Sequence, residues 1–239
     1  KSKIDRKGRS HYNNNLPKKE SLNGSNIQLA IDIEFQIILV EELKRRINEM
    51  NAAGGIGIIA NPQNGKILAM TSMPDFDPNQ HNKFPVENQK NRAIADQFEP
   101  GSIFKIVAST AAINNKIVNL EDEFFCEDGE YEFAGNVISD YKNFGLMSFS
   151  EIFANSSNIG MVKIAKKLGP RPLYKYSRDY GFGSLTGIPF PGEAKGILRN
   201  IDQWSERSII GVSIGYEVGV TALQMIMAYA AIANGGYLL

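Results

Sequence analysis

The chain has 239 residues, enough for one large domain with a core of its own. Apolar residues make up 43% and charged residues 22%, a globular profile, and 26 basic residues balance 26 acidic ones. Zero net charge argues against nucleic acid as the main partner, because phosphate binding needs a basic excess on some face.

In chain order, residues 1–25 are polar, contain "HYNNNLPKKESLNGSN", and read as a linker or loosely held arm. The spacing of Phe35, Ile38, Leu39, Leu43, Ile47 and Met50 predicts a helix, capped by Asp32 and ended by Gly54 and Gly55. "IGIIA", the turn "NPQNG" and "KILAMTS" predict an antiparallel hairpin. A Pro-rich loop follows, then a helix over "GSIFKIVASTAAINN". Residues 120–147 are rich in Gly and aromatics and read as irregular, with a small β excursion. "SFSEIFANSSNIGMVKIAKKLG" predicts two short helices broken at Asn155 to Asn158, the second ended by Gly169 and Pro170. "PLYKYSRDYGFG" and "TALQMIMAYAAIANGG" predict further helices, the last capped by Thr221 and stopped at Gly235. The expected class is α/β (α+β): an antiparallel sheet flanked by helices plus a mainly helical subdomain.

One cysteine, Cys126, makes no internal disulfide and reads as a structural thiol in a loop. His11 and His81 stand far apart in polar surroundings, against a histidine metal site and against a triad with the usual base. No metal or cofactor is expected, and proton transfer is left to Lys, Glu or Asp. No apolar run reaches the ~18 residues of a membrane helix. No signal peptide opens the chain. The chain is expected to be soluble as given, with any anchor upstream of Lys1.

The candidate chemistry begins at "FEPGSIFKIV". Ser102 should sit at a helix start, and Lys105, three residues on, shares its face. A serine needs a base to become a nucleophile, and lysine serves once burial lowers its pKa. Apolar neighbours on both sides favour that burial. The spacing alone is weak evidence, because Ser139 and Lys142 in "SDYK" share it. A second constellation is Ser156-x-Asn158, at the break between two helices, where a hydroxyl and an amide can enter a cleft. Ser and Asn also cap helices and make turns, as the copy Ser21-x-Asn23 in the polar arm illustrates. Glu99 reads as a surface or capping group, Trp204 as packing, His81 as solvated, and Tyr216 as packing or cleft lining.

Ser-x-x-Lys with Ser-x-Asn belongs to the motif set of penicillin-binding proteins and class A β-lactamases. The stretch "NRAIADQFEPGSIFKI" resembles the active-serine region of class B penicillin-binding proteins, the peptidoglycan transpeptidases. "GGIGIIANPQNGKILAMTSMPDFDPN" resembles the hairpin that opens their transpeptidase domain. "SFSEIFANSSNIGMVKIAKKLG" resembles their second motif, and "SIGYEVGVTALQMIMAYAAIANGG" the segment ahead of their third. The resemblance covers residues 26–239 in the family's order, and the "GY" before "VTALQ" looks more like the septal, cell-division branch than the elongation branch.

The resemblance implies Ser102 as the acylated nucleophile, Lys105 as its base, and Ser156 and Asn158 as proton network and substrate holders. It implies stem peptides ending in D-Ala-D-Ala as substrate, β-lactams as inhibitors, divisome membrane proteins as partners and no cofactor. It places the protein at the outer face of the bacterial cytoplasmic membrane, with residues 1–25 as a linker or remnant of an N-terminal pedestal domain. Rival readings are a serine β-lactamase, a D,D-carboxypeptidase, or a non-catalytic β-lactam sensor or divisome scaffold. The family's third motif, Lys-Thr-Gly or Lys-Ser-Gly on a strand, does not occur in these 239 residues. The expectation is therefore a domain truncated before that strand, inactive alone, with an exposed hairpin edge prone to aggregation. Ala222 stands where the family usually has Pro, and little effect is expected at a helix start.

Overall fold

The computed structural model describes residues 2–4, 6–7, 10–12 and 24–239. Two short strands, β1 (Ser2–Ile4) and β2 (Ser10–Tyr12), pair antiparallel. Most of the expected linker over residues 1–25, with the Ser21-x-Asn23 copy, lies outside the described residues.

Helix α1 (Ile33–Glu49) starts as expected: the Asp32 carboxylate accepts from the N–H groups of Glu34 and Phe35 at 3.0 and 3.3 Å. The expected glycine stop is corrected. The helix ends at Glu49, and Asn51 takes the left-handed conformation, φ 48°, while Ala52 N–H bonds back to Ile47 O at 2.9 Å. That Schellman-type closure needs a residue tolerant of positive φ, and Asn qualifies before any glycine is reached.

Strands β3 (Gly55–Ala60) and β4 (Ile67–Met73) form the predicted antiparallel hairpin. Helix α1 lies on one face, close enough that a Cβ on Gly57 would stand 2.8 Å from Leu39. The outer edge of β4 is closed by one side chain. The Gln36 amide donates to Met70 O at 3.0 Å and accepts from Met70 N–H at 2.9 Å, as a neighbouring strand would. Among the described residues β3 pairs with β4 alone.

The Pro-rich loop holds short 3-10 turns and α2 (Arg92–Ala95). A 3-10 turn, Gly101–Phe104, then leads into α3 (Lys105–Asn114). The β excursion is two small antiparallel pairs: β5 (Glu123–Phe125) with β8 (Leu146–Ser148), and β6 (Glu130–Phe133) with β7 (Asn136–Ser139). Helices α4 (Phe149–Ala154) and α5 (Asn158–Leu168) follow, broken where the sequence indicates. Then come α6 (Pro170–Asp179), α7 (Glu206–Ser213) and α8 (Ala222–Ala233). Ala222 opens α8 behind a Thr221–Gln224 capping box, which meets the N–H groups of Thr221 and Gln224 without Pro.

Helix α3 is apolar on most of its circumference, and it is buried by α5, α6 and α7. Phe104 packs on Phe182 with centroids 4.8 Å apart and ring planes tilted by 52°, at the heart of this helical half. Helix α8 crosses from that half to β3, joining the two parts.

The turn ahead of α3 is pinned from the far end of the chain. Phe98 and Val220 exchange two backbone hydrogen bonds of 3.0 Å, and Gly101 N–H donates to Gly215 O at 2.9 Å. A Cβ on Gly215 would lie 2.0 Å from Gly101 O, and Gly215 has φ 83°. Gly187 has a similar φ of 85° but open space around its Cβ position. Gly215→Ala should therefore lose about 2–4 kcal/mol, strain plus backbone clash, while Gly187→Ala should lose only about 1 kcal/mol. Denaturant midpoints at constant m-value check this.

Candidate active site

Ser102 lies exposed on the 3-10 turn, and Lys105 opens α3 with only 1% of its surface exposed. The Lys105 N–H closes the turn on Ser102 O, so the backbone fixes the spacing of the two residues. The lysine stem is buried in the helical core, and its amine points at the break between α4 and α5. There Nζ donates to Ser156 O at 2.6 Å, Ser156 Oγ at 3.0 Å and Asn158 Oδ1 at 2.7 Å. One buried amine thus joins the two sequence motifs. The Ser102 hydroxyl is not among its partners, and it makes no hydrogen bond among the described residues.

Burial pushes the Lys105 amine down to about 8, against the opposing pull of the Asp140 charge. At neutral pH about one amine in ten is then free to take a proton, far more than for an ordinary lysine. Between about 8 and the ordinary lysine value the unfolded chain holds a proton that the folded chain has released. This group therefore makes stability rise with pH across that window.

The geometry of the second motif depends on strain and on a carboxylate. Ser156 is a non-glycine residue at φ 57°, and this left-handed turn aims both its carbonyl and its hydroxyl at Lys105. Ser157, fully buried, is the N-cap of α5 and accepts from Gly160 N–H at 2.9 Å. Asp140 accepts from Ser157 Oγ at 2.6 Å, Asn158 N–H at 2.5 Å and Ile159 N–H at 3.2 Å. A carboxylate on the first-turn amides stabilises a helix N-terminus. The Asn158 side-chain N–H donates to Ser139 O at 3.0 Å, which leaves its oxygen facing the lysine.

Asp140, Ser157 and Gly215 are the residues that motif reading misses. Nothing near Asp140 in sequence marks it, since only the β6–β7 pairing brings it to α5. The "SDYK" copy thus contributes a backbone carbonyl and a carboxylate to the support of Asn158 rather than a second nucleophile.

A cleft of about 430 Å³ opens beside Asn158, lined by Ser139, Arg207, Tyr216 and Glu217 among others. Tyr216, half exposed, takes the cleft-lining role. A larger cavity, about 580 Å³ between α1, β4 and residues 188–190, touches none of Ser102, Lys105, Ser156 or Asn158. Glu99 accepts from Glu217 N–H at 3.0 Å, a structural contact. Trp204 packs edge-on against Tyr174 and donates to Arg199 O. Cys126 is buried, and desolvation raises its thiol pKa, which keeps it unreactive. His81 is exposed.

Residues 55–239 match the family description "Penicillin binding protein transpeptidase domain". Stage V sporulation protein D of Bacillus subtilis is 35% identical over 90% of this chain and 34% of its own length. The probable peptidoglycan D,D-transpeptidase PbpC of Pseudomonas aeruginosa is 32% identical over 89% of this chain and 38% of its own. The apo crystal structure of penicillin-binding protein 3 from Mycobacterium tuberculosis superposes with a TM-score of 0.84 at 30% identity, over 92% of this chain and 50% of that one. The same protein is known complexed with aztreonam and with ampicillin. The chain spans about a third of the length of the curated relatives it matches. Fold, motif order and relatives agree that the chain belongs to the penicillin-binding protein transpeptidase domain family, in its class B branch.

Proposed function

We propose that the protein carrying this domain is a peptidoglycan D,D-transpeptidase that works through an acyl-enzyme on Ser102. The observation that carries the reading is the hydrogen-bonded convergence of Lys105, Ser156 and Asn158 behind an exposed serine. The Ser102 oxygen attacks the carbonyl of the D-Ala-D-Ala bond, and Lys105 takes the hydroxyl proton. The C–N bond breaks, and the released D-Ala amine receives a proton through Lys105 and the Ser156 hydroxyl. An amine from a neighbouring strand then attacks the ester and frees Ser102. The Ser102 backbone N–H, which makes no hydrogen bond among the described residues, is one donor to the developing oxyanion. Asn158 holds the substrate amide. β-Lactams acylate the same oxygen.

The domain runs over residues 26–239, with residues 1–25 a linker or pedestal remnant. Neither Lys-Thr-Gly nor Lys-Ser-Gly occurs in these 239 residues. No helix among the described residues is long and apolar enough to cross a membrane. The outer face of the cytoplasmic membrane is the place of action that this reading implies. The septal branch is favoured by "GY" ahead of "VTALQ", and divisome membrane proteins are the partners that role implies.

Fluorescent penicillin should label the protein carrying this domain, and Ser102→Ala should abolish the label; labelling that persists removes the assignment. Slow, stoichiometric acylation by nitrocefin fits a transpeptidase, whereas rapid turnover would mark a β-lactamase. The acylation rate should rise as pH passes about 8, where Lys105 loses its proton. Asp140→Asn keeps an oxygen for the α5 cap but removes the charge that raises the lysine pKa. Its acid limb should move to lower pH, and an unmoved limb in stopped-flow acylation would exclude Lys105 as the base.

A further inference from the structure

The cleft beside Asn158 carries two charged side chains, Arg207 from α7 and Glu217. Glu217 is already committed: its carboxylate pairs with Arg199 and accepts from Ser208 Oγ at 3.0 Å. Arg207 is not. Its Nε donates to Ala134 O at 3.3 Å, which holds the guanidinium over the turn between β6 and β7. No carboxylate lies within ion-pair distance of it among the described residues. The cleft therefore presents one uncompensated, exposed and tethered cation. Val137, Ile210 and Ile214 line the same cleft and suit a short hydrocarbon stem. A planar guanidinium with free N–H donors, in a cleft that aliphatic side chains also line, is matched to a carboxylate.

We infer that Arg207 is a specificity-determining residue that binds a side-chain carboxylate of the stem peptide, distinct from the terminal D-Ala carboxylate. This rests on the transpeptidase reading, because it takes Asn158 as the point where the peptide passes. The ligand class is a peptide whose side chain ends in a free carboxylate on a few methylenes. Amidation of that carboxylate removes the charge and half of the acceptor capacity, so the amidated peptide is the poorer substrate.

The test uses the protein carrying this domain and two D-Ala-D-Ala pentapeptides that differ only in whether the third residue's side-chain carboxylate is free or amidated. D-Ala release gives the ratio of kcat/KM for the free over the amidated peptide. The wild type should favour the free acid, and Arg207→Ala should reduce that ratio by about tenfold or more. Arg207→Lys should retain part of it, and Arg207→Glu should push it below the Arg207→Ala value. The effect should fall on KM, because the contact lies away from the reacting carbonyl. Fluorescent penicillin on the same samples separates the two ideas. A wild type that fails to label removes the transpeptidase reading and this inference with it. A labelled wild type that releases D-Ala from neither peptide or equally from both, or a ratio unmoved by Arg207→Ala and Arg207→Glu, overturns the inference alone.

Discussion

The structure is arranged around one costly element, a lysine amine buried at the start of α3. An amine out of water has to be neutral or fully bonded, and Lys105 draws on both: three acceptors match the three donors of its charged form, and burial brings it down to about 8. Each acceptor needs its own support. The carbonyl and hydroxyl of Ser156 face the lysine because that residue is held at positive φ. The oxygen of Asn158 faces it because the amide's other end is tied to Ser139 O. The break between α4 and α5 is in turn held by Asp140 and Ser157. Removing any of these leaves a buried donor with fewer partners, the circumstance in which hydrogen bonds matter most to stability.

The serine we propose as nucleophile is placed by different means. Ser102 sits on a turn fixed from below by its bond to the Lys105 N–H and from the side by Gly101 against Gly215. Those contacts are backbone to backbone, so they position the serine without using side chains that the substrate needs. The result is an exposed oxygen one turn from a hidden amine. That contrast of exposure is what a serine acyl-transfer site requires, because the substrate must reach the oxygen while water stays away from the amine.

Much of this was legible in the sequence because it rests on local rules. Asp32 and Thr221 act as caps, the turn after "IGIIA" makes a hairpin, and the break at Asn155 to Asn158 falls between two helices. The placing of Ser102 and Lys105 on one turn also follows from their spacing, although the amine bonds to Ser156 and Asn158 and not to the Ser102 hydroxyl. What escaped was the local end of α1 and the features set by distant parts of the chain. Asn51, not the glycine pair, ends α1, because a Schellman closure satisfies the carbonyls earlier than composition suggests. Asp140 reaches α5 only through the β6–β7 hairpin, and the "SDYK" stretch that seemed a chance match to the serine–lysine spacing turns out to brace Asn158. Gly215 shows its role only when the turn carrying Ser102 is laid against it.

The account stands or falls on the state of the Lys105 amine. Its titration can be followed directly by NMR on protein carrying isotope-labelled lysine, with Lys105→Arg used to assign the resonance. The structure predicts a midpoint at about 8, well below the other lysines. A Lys105 amine that titrates with the exposed lysines near about 10.4 would contradict it, because the group would then be charged throughout the range in which a base is needed.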